Sequence, residues 1–239
     1  LTERKDTGRI YIMNVDHANE HSSFEEKVAP IHMSNLCCEI DLPTQPLEAY
    51  DDHTGEISLC TLSAINWGLI NDPKEFEKYC DLSVRGLDEL MDYQAYPVAA
   101  AESSTKSRRP LGIGIINLAY FLAKRGLKYD ESAFETVDEY AEAWSYYLIK
   151  ASADLAVEKG KIPLNSHTKY ASGKLPIDTY KRAIDNLIEH RERLPWEDLR
   201  EQLRETGIRN STLMALMPAE TSAQISNSTN GIEPPRALV

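Results

Sequence analysis

An amide, a thiol and a carboxylate stand two residues apart in the run Asn35-Leu36-Cys37-Cys38-Glu39. Successive side chains of an extended backbone point to opposite faces, so Asn35, Cys37 and Glu39 would line one side together. At roughly 3.3 Å per residue, neighbours in that row lie about 7 Å apart, a spacing that can surround one small ligand. A hydrogen-bonding group, a redox-capable sulfur and a base facing one point make a catalytic constellation. In the other register Cys38 shares its face with Leu36 and Ile40, neither of which moves a proton; that face reads as packing and Cys38 as a buried, inert thiol. A further thiol, Cys60, lies in the apolar run Ile57-Ser58-Leu59-Cys60-Thr61-Leu62 and is placed to enter the same site from a neighbouring strand. Core packing is the commoner role of a Cys-Cys pair. Asn and Glu beside it in an apolar segment weigh against that role here, because burying them requires hydrogen-bond partners.

The elements that must hold these residues follow from the pattern. With 239 residues, 42% hydrophobic and 27% charged, the chain can bury a real core, and its length fits one or two domains. No apolar run approaches the roughly 18 residues that span a bilayer, and the start has no signal-peptide pattern. Four cysteines without a paired-spacing framework fit a reducing, cytoplasmic compartment. No CxxC or His-Cys cluster suggests a zinc site, and the six histidines (17, 21, 32, 53, 167 and 190) show no ligand spacing; His17 and His21 are i, i+4 but fall in a polar, loop-like stretch. A net charge of −12 argues against non-specific nucleic-acid binding, although one local phosphate site can outweigh a global field.

Arg9 to Asn14 reads as a strand, followed by a polar loop and then the Asn35–Glu39 segment. Pro43 to Gly55 is a turn-rich connection. From Pro73 to about Tyr93 the positions Phe76, Cys80, Leu82, Val84, Leu87, Leu90 and Met91 follow helical spacing, which makes Cys80 a core residue. Ala99 to Arg109 reads as a polar loop in which Arg108 and Arg109 are solvated or structural, and Ile113 to Arg125 as an apolar helix. Phe134 to Lys159 is a long helix with Val137, Tyr140, Ala141, Trp144, Tyr147, Leu148 and Ala151 on one face. Asn165 to Lys174 is a loop; helices span Ile177 to Arg191 and Trp196 to Thr206, the latter stopped by Gly207. Ser211 to Met217 is strand-like. Helices separated by short strands give an α/β architecture. Leu111-Gly112-Ile113-Gly114 lacks the third glycine of a dinucleotide loop, and close strand–helix packing explains it better. Pro218-Ala219-Glu220-Thr221-Ser222 reads as the approach to a helix, where free backbone N–H groups bind phosphate well, although such a start is more often an ordinary N-cap.

Ser34-Asn35-Leu36-Cys37-Cys38-Glu39 resembles the finger-loop motif of the large catalytic subunit of class I ribonucleotide reductase. So does the block Asn210-Ser211-Thr212 followed by the long run from Met217 through Pro218-Ala219-Glu220-Thr221-Ser222 to Glu233-Pro234-Pro235-Arg236. Gly8 to Ile12, Leu59 to Ala64, Arg109 to Gly114 and Leu175 to Tyr180 resemble the same subunit in the expected order, so the likeness runs along the whole chain. The family more often has an apolar residue where this chain has Cys38. The resemblance implies part of a ten-stranded α/β barrel whose finger loop threads the centre with Cys37 at its tip, residues 1–239 forming one partial catalytic barrel domain. Beginning at Leu1 and stopping at Val239, the chain is expected to be an internal piece of such a subunit. The regulatory nucleotide-binding region, the specificity site, the second cysteine of the active-site disulfide, the radical-relay tyrosines and the C-terminal cysteine pair are then expected elsewhere. Tyr146-Tyr147 belongs to the long helix and not to that relay.

What the resemblance implies about activity is the reduction of ribonucleoside diphosphates. Cys37 is the radical cysteine, Glu39 the base for the ribose 3′-hydroxyl, Asn35 a hydrogen-bonding residue for the sugar, and Cys60 one of the two reducing thiols. Ser34, Asn35, Leu36, Cys37 and Glu39 line the substrate, and Pro218, Ala219, Glu220, Thr221 and Ser222 grip its phosphates. No metal or cofactor is expected on this chain. A small subunit with a di-iron tyrosyl radical, the remainder of the large subunit, thioredoxin or glutaredoxin, a second large subunit, and ATP and deoxynucleotide effectors acting mostly outside these residues are the implied partners; DNA, RNA and membranes are not. Two rivals stand beside this reading. One is a non-radical thiol redox protein using Cys37 and Cys60, against which a carboxylate beside the thiol argues. The other is a barrel segment that needs complementary chains to act, since an open barrel exposes strand edges.

Overall fold

The computed structural model describes residues 1–189 and 191–235. Its centre is a parallel pair of strands, β1 (Thr61–Asn66) and β2 (Leu111–Ile116), with Thr61 opposite Leu111 and Asn66 opposite Ile116. Parallel neighbours need a crossover between them. Here the crossover follows two helices, α1 (Thr2–Thr7) and α2 (Val15–His21), near the start of the chain, and it contains α3 (Phe76–Tyr93) and α4 (Ala99–Arg108). After β2 come α5 (Leu118–Lys124), α6 (Phe134–Lys159), α7 (Pro176–Thr179), α8 (Trp196–Thr206) and α9 (Glu220–Ile225). Helices packed on a parallel sheet make this an α/β fold.

The main core lies between the sheet and α3, α6 and α8. Helix α6 buries Tyr140, Trp144, Leu148, Ile149 and Leu155; α3 buries Phe76, Cys80, Val84, Leu87 and Met91; α8 buries Trp196, Leu199 and Leu203. The long-helix and α8 boundaries and the buried Cys80 agree with the sequence expectation, but Leu82 and Leu90 fall on the exposed side of α3. Edge-on ring contacts join Trp67 to Phe76, Phe121 and Trp144 at 5.5, 5.5 and 6.4 Å, geometry that aromatic quadrupoles favour. A second, smaller core holds Phe24, Ala29, Ile31, Ile40, Leu42, Ala215 and Met217. Ile31 and Ile40 of this core flank the Asn35–Glu39 segment.

Several local expectations are corrected. Leu111 to Ile116 is a strand buried at every position, and the helix starts only at Leu118, after Asn117 adopts a left-handed φ of 70°. A strand covered on both faces reads as a continuous apolar run, which periodicity alone cannot distinguish from a helix. Ala99–Arg108 is helical, because its three leading alanines outweigh the serines and Glu102 bonds Lys106 one turn on. Arg108 and Arg109 are structural and buried. The stretch Arg9 to Asn14 forms no strand: Ile10, Tyr11 and Ile12 are exposed and have no strand neighbour among the described residues. Ile177 to Arg191 is not one helix but α7 and a separate 3-10 turn at Arg182–Asn186. Ile184 and Leu187 there are exposed, and without a packed face helical spacing is not enough. His190 and residues 236–239, including Arg236 of the second block, lie outside the described residues.

Ser211 to Met217 runs beside β2 without becoming a regular strand. Leu111 N–H donates to Thr212 O at 3.0 Å and Ile113 N–H to Leu213 O at 2.8 Å, so β2 advances two residues while its neighbour advances one. This approach explains the two glycines. A Cβ on Gly112 would stand 2.5 Å from Leu62 Cδ2, and one on Gly114 would stand 2.5 Å from Ala215 O and 2.6 Å from Met217 Sδ. The glycines therefore serve strand-to-strand contact rather than the strand–helix contact expected.

Candidate active site

The segment Ser34 to Ile40 is a tight turn. The Cys38 N–H donates to Asn35 O at 3.1 Å, and Cys38 sits in left-handed backbone at φ 57°. The extended, alternating backbone expected from the sequence is therefore corrected. Asn35, Glu39 and Cys60 are nevertheless brought together around the turn, by hydrogen bonds of Asn35 instead of by pleat, and Cys37 lies near enough for its charge to act on Cys60. Asn35 Oδ1 accepts from the backbone N–H of Glu39 at 3.1 Å and of Ile40 at 3.4 Å, while Asn35 Nδ2 donates toward Cys60 Sγ at 3.9 Å. Ser34 Oγ donates to Ile40 O at 3.5 Å, closing the base of the turn.

Ile40 anchors this turn by packing into the small core with Met217. At its corner Leu36 is 83% exposed, which suits contact with a ligand or partner and not packing. Cys37 and Cys38 are both exposed free thiols. Exposure of Cys38 corrects the expectation of a buried thiol: once the chain turns, neither register points into the core. Cys60 is also an exposed free thiol, and it stands one residue ahead of β1 and not within a strand.

Electrostatics link the members. Loss of hydration pushes the Cys60 thiol up from its ordinary value, Glu39 and Cys37 push it further, and the Asn35 amide opposes the rise. Glu39 is half-buried, and its Oε2 is shielded from solvent with no hydrogen-bond partner among the described residues. A carboxylate oxygen with spare accepting capacity beside two thiols is suited to taking a proton from a bound hydroxyl.

A cavity of about 460 Å³ opens on the Glu39 side of the turn, lined by Glu39, Asp41, His17, His21, Ser23 and Met214 among others. The sequence expectation set His17 and His21 in a loop. They lie instead on α2, with ring centroids 6.3 Å apart, and their i, i+4 spacing was the signal for it. Among the described residues no group of three or more His, Cys, Asp or Glu side chains converges as a metal site.

The second segment, Pro218 to Ser222, enters α9. Pro218, Glu220, Thr221 and Ser222 are exposed and Ala219 is buried, with its N–H bonded to Asn230 Oδ1 at 2.7 Å. The N–H groups that open a helix have no intrahelical acceptor, so the first turn of α9 can meet an anion. Met217, immediately before it, shares the small core with Ile40, which ties the two segments to one hydrophobic base.

A turn bearing exposed free thiols thus stands against the start of a parallel strand on an α/β scaffold. A family model described as "Ribonucleotide reductase, barrel domain" matches residues 1–239, and the chain belongs to that family as part of its α/β barrel. It is 55% identical over 240 residues to the protein named ribonucleoside-diphosphate reductase subunit alpha of Buchnera aphidicola subsp. Schizaphis graminum, covering 100% of this chain and 32% of the relative. Identity to the protein of that name in Haemophilus influenzae is 56%, again over 32% of the relative. For enterobacteria phage T4 it is 46% over 244 residues, 31% of the relative. The chain thus spans about a third of the length of these curated relatives.

Proposed function

We propose that residues 1–239 are the partial catalytic barrel domain of a ribonucleoside-diphosphate reductase large subunit, and that the turn at Asn35–Glu39 carries its chemistry. The observation supporting this most directly is that Asn35, Cys37, Glu39 and Cys60 surround one turn in a chain of this family. Cys37, oxidised to a thiyl radical by a partner, takes the 3′ hydrogen atom of the ribose and becomes a thiol again. Glu39 accepts the 3′-hydroxyl proton, and the 2′-hydroxyl leaves as water with a proton from one thiol of the pair formed by Cys60 and a second cysteine. The pair then supplies two electrons and its second hydrogen to C2′ and ends as a disulfide. Glu39 returns its proton to the 3′-oxygen, and Cys37 gives the 3′ hydrogen atom back and is a thiyl radical again. Asn35 hydrogen-bonds the sugar; Ser34 and Leu36 line it; and Pro218, Ala219, Glu220, Thr221 and Ser222 hold the diphosphate at the start of α9.

The partners on this reading are a small subunit carrying a di-iron tyrosyl radical, the rest of the large subunit, a second large subunit, and thioredoxin or glutaredoxin as reductant in a reducing cytoplasm. ATP and deoxynucleotide effectors act on regions outside residues 1–239. No helix among the described residues is long and apolar enough to cross a membrane. A non-radical thiol reading fares worse, because burial and Glu39 raise the Cys60 thiol and so reduce its thiolate at neutral pH. A reading in which complementary segments are needed has support of its own: β1 pairs with β2 alone among the described residues, and Ile10, Tyr11 and Ile12 are exposed.

The test is CDP reduction by the chain joined with the remainder of a large subunit, a small subunit and a dithiol. Activity that is lost in Cys37→Ser and kept in Cys38→Ser supports the assignment. Turnover that survives Cys37→Ser sinks it.

A further inference from the structure

The carboxamide of Asn35 has two ends, and the turn uses them differently. Its oxygen accepts from two backbone N–H groups, those of Glu39 and Ile40, at 3.1 and 3.4 Å. An NH2 group cannot accept either bond, so the amide cannot flip without leaving two donors facing donors. The oxygen's two lone pairs are both committed, and the NH2 is thereby fixed on the opposite side, 3.9 Å from Cys60 Sγ. Cys60 belongs to the approach to β1, and the turn belongs to the segment that ends in the small core. Among the described residues, Asn35 Nδ2 is the hydrogen-bond donor that reaches across from the turn to this sulfur.

We propose that Asn35 is a positioning residue for Cys60, a brace whose oxygen holds the Cys38–Ile40 bend and whose NH2 is aimed by that grip at the thiol. Two consequences follow. The first is that the ionisation of Cys60 depends on a side chain in another segment: an N–H donor favours the thiolate, against loss of hydration and the Glu39 carboxylate, which disfavour it. The second is that Asn35 meets any ligand only as a donor, so the ligand atom facing it must be an acceptor oxygen. The importance of Cys60 rests on its assignment as a reducing thiol above, but the brace itself is geometric and is read without turnover.

The experiment measures iodoacetamide alkylation of Cys60 against pH, resolved by peptide mass spectrometry, together with hydrogen exchange at the Glu39 and Ile40 amides. The protein, Asn35→Ser and Cys60→Ala are compared. A serine hydroxyl can still accept from a nearby backbone N–H but is too short to donate to Cys60. The expected result is roughly three- to tenfold slower alkylation of Cys60 in Asn35→Ser at a fixed pH below its midpoint, with the whole profile displaced to higher pH. The reciprocal readout guards against a turn that collapses in Asn35→Ser. Removing the sulfur in Cys60→Ala frees the amide, and Glu39 and Ile40 should exchange faster, since coupling between two sites runs both ways. An unchanged Cys60 profile in Asn35→Ser, or unchanged exchange in Cys60→Ala, overturns the brace. Neither result touches the test by CDP reduction, so failure of one reading is distinguishable from failure of the other.

Discussion

Two polar constellations in this molecule are built on opposite terms. Around Asp88, which is fully buried on α3, every group is matched. Asp88 Oδ1 accepts from Arg109 Nε at 2.6 Å and Asn210 Nδ2 at 3.1 Å, and Oδ2 accepts from Arg209 Nε at 3.2 Å. Arg109 also reaches Asp92, and Asn210 exchanges two hydrogen bonds with Ser152 on α6 at 2.8 and 2.9 Å. The turn at Asn35–Glu39 has the reverse character: exposed thiols, a carboxylate oxygen without a partner, and one carboxamide holding the pieces together. A saturated buried network fixes α3, α6 and the start of β2 against one another. An unsaturated, half-open one leaves bonding capacity for something that is not protein. That contrast separates scaffold from site more sharply than residue type does, since Asp, Asn and Arg serve the first as readily as Asn, Cys and Glu serve the second.

The contrast can be broken from either side. The largest effect is expected at the turn. On the proposed function, Cys37→Ser should reduce CDP reduction by the chain joined with the rest of a large subunit to background, while leaving the urea midpoint unchanged, because the side chain is exposed. Glu39→Gln comes next and should lower turnover about 10²- to 10⁴-fold, the usual worth of a positioned base, again with little change in stability. On the scaffold side, Asp88→Ala leaves the half-buried Arg209 and one end of the buried Arg109 without this counter-charge. It should cost about 3–5 kcal/mol in urea denaturation. A smaller loss is expected from Gly114→Ala, about 1–3 kcal/mol, because the new Cβ collides with the backbone oxygen of Ala215 and with Met217. Gly86→Ala is the matching control: it is exposed in α3 with nothing within 4 Å of its added Cβ, and it should stabilise by about 0.5–1 kcal/mol. A Cys37→Ser variant that unfolds more readily, or an Asp88→Ala variant that does not, would erase the distinction.

What the sequence made legible follows physical lines. Helix α8 was readable because it has one apolar face and a glycine stop, and the long helix because apolar residues recur at helical spacing, although its burial extends beyond the expected face to Ala143, Tyr146, Ile149 and Ala153. The nearness of the four candidate side chains was legible because residue chemistry survives a wrong backbone. Asn35, Cys37, Glu39 and Cys60 meet, although the geometry that joins them is a turn with left-handed Cys38 and not a pleated row. Strand β2 was misread because burial on both faces removes the alternation that marks a strand. The fate of Arg9 to Asn14 was misread because a strand is a property of two segments, and one segment's sequence does not carry its partner. The partners of Arg109 were out of reach for the same reason: they lie 17 and 21 residues upstream on a helix face that only the fold turns toward it.

The parallel register has a consequence for how chains of this kind can vary in length. Cys60 stands one residue before Thr61, and Thr61 is locked opposite Leu111. Inserting or deleting a single residue at that junction, with the sheet held in place, reverses the side on which the sulfur emerges and takes it away from Asn35. The turn-rich stretch from Pro43 to Gly55 is held by the pairing of Gln45 with Glu56 and by hydrogen bonds between Tyr50 and Pro97 and between Ser103 and His53, none of which fixes a strand register. Insertions and deletions accumulated over descent should therefore collect between residues 46 and 54 and stay out of the five residues ahead of β1, so that the spacing from thiol to strand outlasts the identity of most residues around it.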